Sequence, residues 1–160
     1  TLDAAFKQRI VSHNNIAQLT EKEARVIYRV MYWDPCQCDS LPEDGLNLCV
    51  FDAAIQHGVK KAGMLLQRAV NNAFAHRLPI LKEDGIIGKK TIAAVEEWMN
   101  NPADTPELRT LHLCNEYLFL RLKLYAEIVE RSPNQKVFLL GWVNRILAIK
   151  EDVDSGFPGR

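Results

Sequence analysis

Leu46-Asn47-Leu48-Cys49-Val50-Phe51-Asp52-Ala53-Ala54-Ile55-Gln56-His57-Gly58 is the stretch whose reading decides the fold. Leu46, Leu48, Cys49, Val50, Phe51, Ala53, Ala54 and Ile55 place apolar side chains on nearly every side of a helix over 46–57. A helix that is hydrophobic all round leaves no face for water, so it belongs in the centre of a domain with other helices around it. Gly58 stands where that helix should stop, because glycine readily takes the left-handed conformation that closes a helix. Asp52 is the anomaly. A carboxylate in this setting must be paired, protonated or turned toward a cleft. Two roles follow: a general acid sharing a cleft with Gln56 and His57, or a paired aspartate that organises the core.

Upstream the helical pattern continues. Leu2, Ala5, Phe6 and Ile10 share one face of a first helix. Thr20 followed by Glu23 has capping-box spacing, and Ala24, Ile27, Tyr28 and Met31 recur at helical period until Asp34-Pro35 ends the run. Residues 36–45 read as a loop punctuated by Pro42, Asp44 and Gly45. Downstream, Ala62, Leu65, Leu66, Ala69, Val70, Ala73 and Phe74 define a helix, and Ile92, Val95, Trp98 and Met99 a shorter one. Thr105-Pro106 reads as a cap with proline at the first helical position, opening a long stripe of Leu108, Leu111, Asn115, Leu118, Leu122, Tyr125 and Val129. Ser132-Pro133-Asn134-Gln135 repeats the device, with Gln135 closing a second capping box, and Phe138, Trp142, Ile146 and Ile149 line the last helix. Residues 152–160 read as a frayed tail. No stretch alternates at strand period, and the fold class is all-α with about seven helices.

Composition narrows the function. Twenty basic side chains balance twenty acidic ones, so the positive field on which nucleic-acid binding depends is missing. The 160 residues are one domain's worth of chain, enough to bury a real core. No apolar run reaches the length of a membrane span, and no leader is visible ahead of the first helix. The expectation is a product made in the cytoplasm without a visible signal peptide, with Thr1 in place of methionine marking either processing or a fragment. Cys36, Cys38, Cys49 and His57 could be imagined around a metal, but the spacing fits no common zinc pattern. The cysteines, Cys114 included, are expected as reduced thiols acting as small apolar side chains. No metal or cofactor is expected, and nothing sets an oligomeric state.

Beyond Asp52, three features rise above helix packing. Tyr32-Trp33-Asp34-Pro35 puts flat aromatic faces beside a carboxylate, as a sugar-binding surface requires; two core aromatics and a helix-ending turn would look the same. Gln67 precedes Asp84-Gly85-Ile86-Ile87-Gly88-Lys89-Lys90-Thr91, a glycine turn that feeds a helix N-terminus and could hold an anion or simply be a turn. Gly141-Trp142-Val143-Asn144-Arg145 puts Trp142 on the apolar stripe, with Asn144 and Arg145 on the polar side.

Taken in order, these pieces resemble a known family. Tyr28-Arg29, Tyr32-Trp33-Asp34-Pro35, Leu41-Pro42 and Val50 through Gly58 are similar to glycoside hydrolase family 108, which includes secretion activator proteins and phage lysins. Ala62 through Gln67, then Asp84-Gly85-Ile86-Ile87-Gly88 with Thr91, resemble that family's predicted peptidoglycan-binding half, and Gly141 through Arg145 its closing motif. The resemblance implies a lysozyme-like helical fold and an N-acetylmuramidase acting at the periplasm and cell wall on peptidoglycan glycan strands. It implies substrate contacts from Tyr32, Trp33, Asp34, Asp52, Gln56 and His57, and a second half using Gln67, Asp84, Gly85, Gly88 and Thr91. The halves would be residues 1–60 and 61–151. The family's essential acid sits in a Glu-Gly-Gly-Tyr motif, which this chain does not contain; by the family's order it is expected upstream of Thr1. Gln56-His57 also departs from the family's more usual asparagine and small residue. The alternative is a module that grips peptidoglycan or regulates secretion without cutting.

Overall fold

The computed structural model describes residues 1–43, 45–74 and 81–156. Asp44 and the end of the expected tail lie outside them. The described residues form seven α-helices and no strand: α1 (Leu2–Lys7), α2 (Glu21–Tyr28), α3 (Leu46–His57), α4 (Val59–Phe74), α5 (Lys89–Met99), α6 (Pro106–Arg131) and α7 (Leu139–Asp154). Helix α3 is the hub. Leu46, Cys49, Val50, Ala53 and Ala54 are fully enclosed, and α3 packs on both α4 and α6. Around this hub α6 also meets α4, α5 and α7, so one core cluster runs from Cys36 to Val153. A smaller cluster of Ala5, Val11 and Ile27 fixes α1 against α2.

Local signals set most boundaries. The Thr20 hydroxyl accepts from the Glu23 N–H at 3.2 Å while the Glu23 carboxylate accepts from the Thr20 N–H at 3.0 Å, a complete capping box. Those bonds, led by the backbone N–H of Thr20, hold the Glu23 carboxyl below its ordinary pKa. Gly58 closes α3 at φ +86°, and Pro106 sits inside the Thr105 cap of α6. The chain continues from α2 as a π-helical turn, Arg29–Trp33, in which Asp34 N–H donates to the Arg29 carbonyl at 2.9 Å. Such wider turns recur at functional sites, and this one carries Tyr32 and Trp33.

Three expectations need correcting. Ser132 makes no side-chain cap; its carbonyl accepts from Gln135 N–H, and Pro133–Phe138 is a 3₁₀ segment. On α6 the enclosed face is Leu113, Cys114, Tyr117, Leu118, Arg121 and Tyr125, while Leu108 and Leu122 are exposed. Helix α7 runs to Asp154, into the stretch read as tail, because Val153 is buried against Gly45 and Lys150 pairs with Asp154 at 2.6 Å.

Candidate functional site

Two groups of the sequence-predicted residues are organised on the middle and last turns of α3. The aromatic group is built on Phe51. Trp33 meets it edge-on at 5.2 Å between ring centres, Tyr28 meets it at 6.4 Å, and Tyr32 lies 6.1 Å from Tyr28. Arg29 ties down the acids beside them. Its Nε pairs with Asp34 at 2.7 Å, its Nη2 pairs with Asp39, and Trp33 Nε1–H donates to Asp39 at 2.8 Å. An open groove of about 400 Å³ continues from Asp39 between the 39–43 loop and α5, walled by Leu41, Pro42, Val95 and Met99.

The second group is centred on Asp52, which is buried and doubly clamped. Arg121, fully enclosed on α6, donates from Nη2 to Asp52 Oδ2 at 2.8 Å. Arg145 on α7 donates from Nε to Oδ1 at 2.8 Å and from Nη2 to the same oxygen at 2.5 Å. Those bonds to Asp52 raise the Arg145 pKa further. Gln56 joins the network one helical turn on. Its Oε1 accepts from Arg121 Nη2 at 2.7 Å and from the Tyr125 hydroxyl at 2.6 Å. Tyr125 stacks on Trp142 at 5.0 Å, and Trp142 on Phe138 at 6.0 Å. His57 packs against Tyr125 at 5.4 Å, with Nε2 buried and unpartnered. Burial first, then the Arg121 charge, push the His57 pKa down to about 4. Of the three states the sequence left open for Asp52, the structure shows the paired one.

Gln67, Asp84, Gly85, Gly88 and Thr91 form their own network between α4 and α5. The buried Gln67 amide donates to Asp84 Oδ1 at 2.9 Å and to the Ile86 carbonyl at 3.1 Å, and its oxygen accepts from Gly85 N–H at 2.8 Å. Thr91 donates to the Ile86 carbonyl at 3.4 Å. The Gln67 bond, then the Ile86 N–H, hold the Asp84 carboxyl below its ordinary pKa. The turn lies hard against α4: a Cβ on Gly63 would stand 2.3 Å from the Gly85 carbonyl oxygen. Every polar group of Gln67 is spent on positioning this loop, which leaves Ile86 exposed at its tip. Cys36, Cys38, Cys49 and Cys114 are buried thiols, and among the described residues no group of metal-ligating side chains gathers.

Sequence reasoning missed Arg121 and undervalued Arg145. The one available signal was that Arg121 follows Tyr117 and precedes Tyr125 by one helical turn each, on the enclosed face of α6. Asp39 and Phe51, around which the Tyr32-Trp33-Asp34 group is organised, were not singled out as site residues either.

Comparison with known proteins gives this all-helical chain its class. Residues 1–58 match the Glycosyl hydrolase 108 family and residues 61–147 match the Predicted Peptidoglycan domain. The second match spans more than half of the chain, which therefore belongs to the Predicted Peptidoglycan domain family; its first 58 residues are similar to Glycosyl hydrolase 108. Among solved structures it is similar to the one titled "Structure of Brucella abortus SagA", at 25% identity and a TM-score of 0.66, covering 98% of this chain and 76% of that one. No curated protein matches. The assignment supports a peptidoglycan-related function and the glycoside hydrolase class. No helix of the described residues is long and apolar enough to cross a membrane.

Proposed function

We propose that the chain forms the substrate-holding and wall-binding part of a lysozyme-type N-acetylmuramidase that works on peptidoglycan at the cell wall. The observation that carries this reading is the union of a glycosyl hydrolase 108 segment and a peptidoglycan domain around one core. In this reading Tyr32 and Trp33 offer aromatic surface to a sugar ring, and Asp34, Gln56 and His57 supply polar groups to the saccharide. Glycoside cleavage also needs a carboxylic acid to protonate the leaving oxygen and a second group to handle water or the oxocarbenium charge. The site's acids are engaged: Asp34 and Asp39 by Arg29, and Asp52 by two arginines. In this reading the acid is the glutamate of the family's Glu-Gly-Gly-Tyr motif, which the 160 residues do not contain.

General acid help is worth roughly a hundredfold to ten-thousandfold in rate. Purified peptidoglycan should accordingly release no reducing ends with the 160-residue chain, and should release them with a chain extended by the family's Glu-Gly-Gly-Tyr segment. Changing that glutamate to glutamine should abolish release. Equal release by the short and extended chains would overturn the assignment of the acid. A second reading, a module that grips peptidoglycan without cutting, is favoured by the same engaged carboxylates. It prevails if the extended chain binds sacculi and releases nothing.

A further inference from the structure

Asp52 is outnumbered. Two guanidinium groups converge on its single carboxylate, leaving an excess of one positive charge, and Lys61 adds to the positive field around the neighbouring His57. Arg121 carries the enclosed part of that excess: it is fully buried, and its Nε and Nη1 have no hydrogen-bond partner among the described residues. Arg145 carries the accessible part. Its Nε and Nη2 are fixed on Asp52, while 47% of the side chain remains exposed and Nη1 makes no bond to Asp52. An anchored guanidinium has already lost most of its rotamer freedom, and its remaining N–H edge suits the planar oxygens of a carboxylate.

We propose that Arg145 binds a carboxylate of the peptidoglycan ligand, and that Asp52 and Arg121 are positioning residues that hold and charge it. The inference rests on the peptidoglycan reading above. Peptidoglycan offers this chemistry from two sources: the lactyl group of a muramic acid bare of peptide, and the carboxylates of a stem peptide. Chitin-type N-acetylglucosamine oligomers offer the sugar rings without either.

The test is a titration of the chain with three probes: an N-acetylglucosamine oligomer, a peptide-free muramyl saccharide of equal length, and a muropeptide. The Arg145 side-chain N–H signals are followed by NMR. At least one carboxylate probe should bind about tenfold more tightly than the neutral oligomer, the gain expected of one charge-assisted contact. It should shift the Arg145 signals, and which probe does so identifies the source. Arg145→Gln should abolish the preference, and Lys123→Gln, an exposed lysine over the Phe119 ring, should leave it intact. If Arg145→Gln fails to fold, Arg145→Lys decides: it keeps a charge opposite Asp52 but has no second N–H edge, so the preference should fall several-fold. An unchanged preference in a folded Arg145 variant overturns the proposal. Equal binding of all three probes by the parent chain overturns it while leaving the peptidoglycan reading in place. If the parent chain binds none of the probes and no intact sacculi, that reading falls, and this one with it.

Discussion

At the scale of single residues, Asp52 shows why its sequence environment could not settle its role. The apolar neighbours that make it conspicuous are local, but the groups that define it, Arg121 and Arg145, lie 69 and 93 residues downstream. Nothing within one or two helical turns announces them. The pairing predicts a large effect for a small change. Asp52→Asn keeps the shape and strips Arg121 of its counter-charge inside the core, so denaturant unfolding should show a loss of about 3 to 5 kcal/mol. Asp34→Asn, in an ion pair whose side chains are half exposed, should cost less than about 1 kcal/mol. Similar losses for the two would sink the idea that Asp52 is the organising charge. His57 adds a pH signature. Its folded-state pKa, about 4, lies below the ordinary 6.5, so the unfolded chain takes up the proton first. The stability it contributes is complete above pH 6.5 and is lost as pH falls toward 4. An NMR titration should place its midpoint near 4, and His57→Asn should flatten the stability profile across that window.

At the scale of elements, legibility followed the range of the forces. Helix α3 has the bounds that its apolar run and Gly58 require, and the Thr20 and Thr105 caps are made by the residues that signal them. The enclosed face of α6 was misjudged because Arg121 sits on it. An arginine breaks an apolar stripe in the sequence, and only its pairing with Asp52 lets it be buried. The Asp84–Gly88 turn was legible as a turn and Gln67 was grouped with it, but its close packing on Gly63 was not legible, since Gly63 lies on another helix. That dependence can be tested with two alanines. At Gly63 a Cβ would meet the Gly85 carbonyl oxygen at 2.3 Å, a backbone atom that cannot swing aside, so Gly63→Ala should cost about 1 to 3 kcal/mol. Gly88 has φ −109° and open space around its would-be Cβ, so Gly88→Ala should cost little in a thermal melt. A reversed order would mean that the loop takes its place from something other than close packing on α4.

For the whole molecule, the two family segments meet near Gly58, yet the packing gives no reason for them to fold apart. The core cluster draws Cys36, Leu46, Cys49, Val50 and Ala53 from the first segment and Leu66, Leu113, Tyr117, Leu118 and Ile146 from the second. Helix α3 is packed on α4 and α6, so cutting the chain at the Gly58 turn exposes the faces that the most apolar helix of the first segment turns toward them. The same cut takes Asp52 from Arg121 and Arg145, leaving a carboxylate on one fragment and a guanidinium bred for burial on the other. Residues 1–58 and 59–160, expressed separately, should each lack a cooperative melt and the dispersed amide spectrum of a packed core. The intact chain should unfold in one transition, with calorimetric and van't Hoff enthalpies in agreement. Mixing the fragments should restore part of the native spectrum, because the lost contacts are apolar and complementary, and Asp52→Asn in the first fragment should weaken that recovery. Two separate transitions in the intact chain, or a folded 59–160 fragment alone, would show that the second segment is self-sufficient. The clamp on Asp52 would then be a docking contact between units rather than part of a shared core.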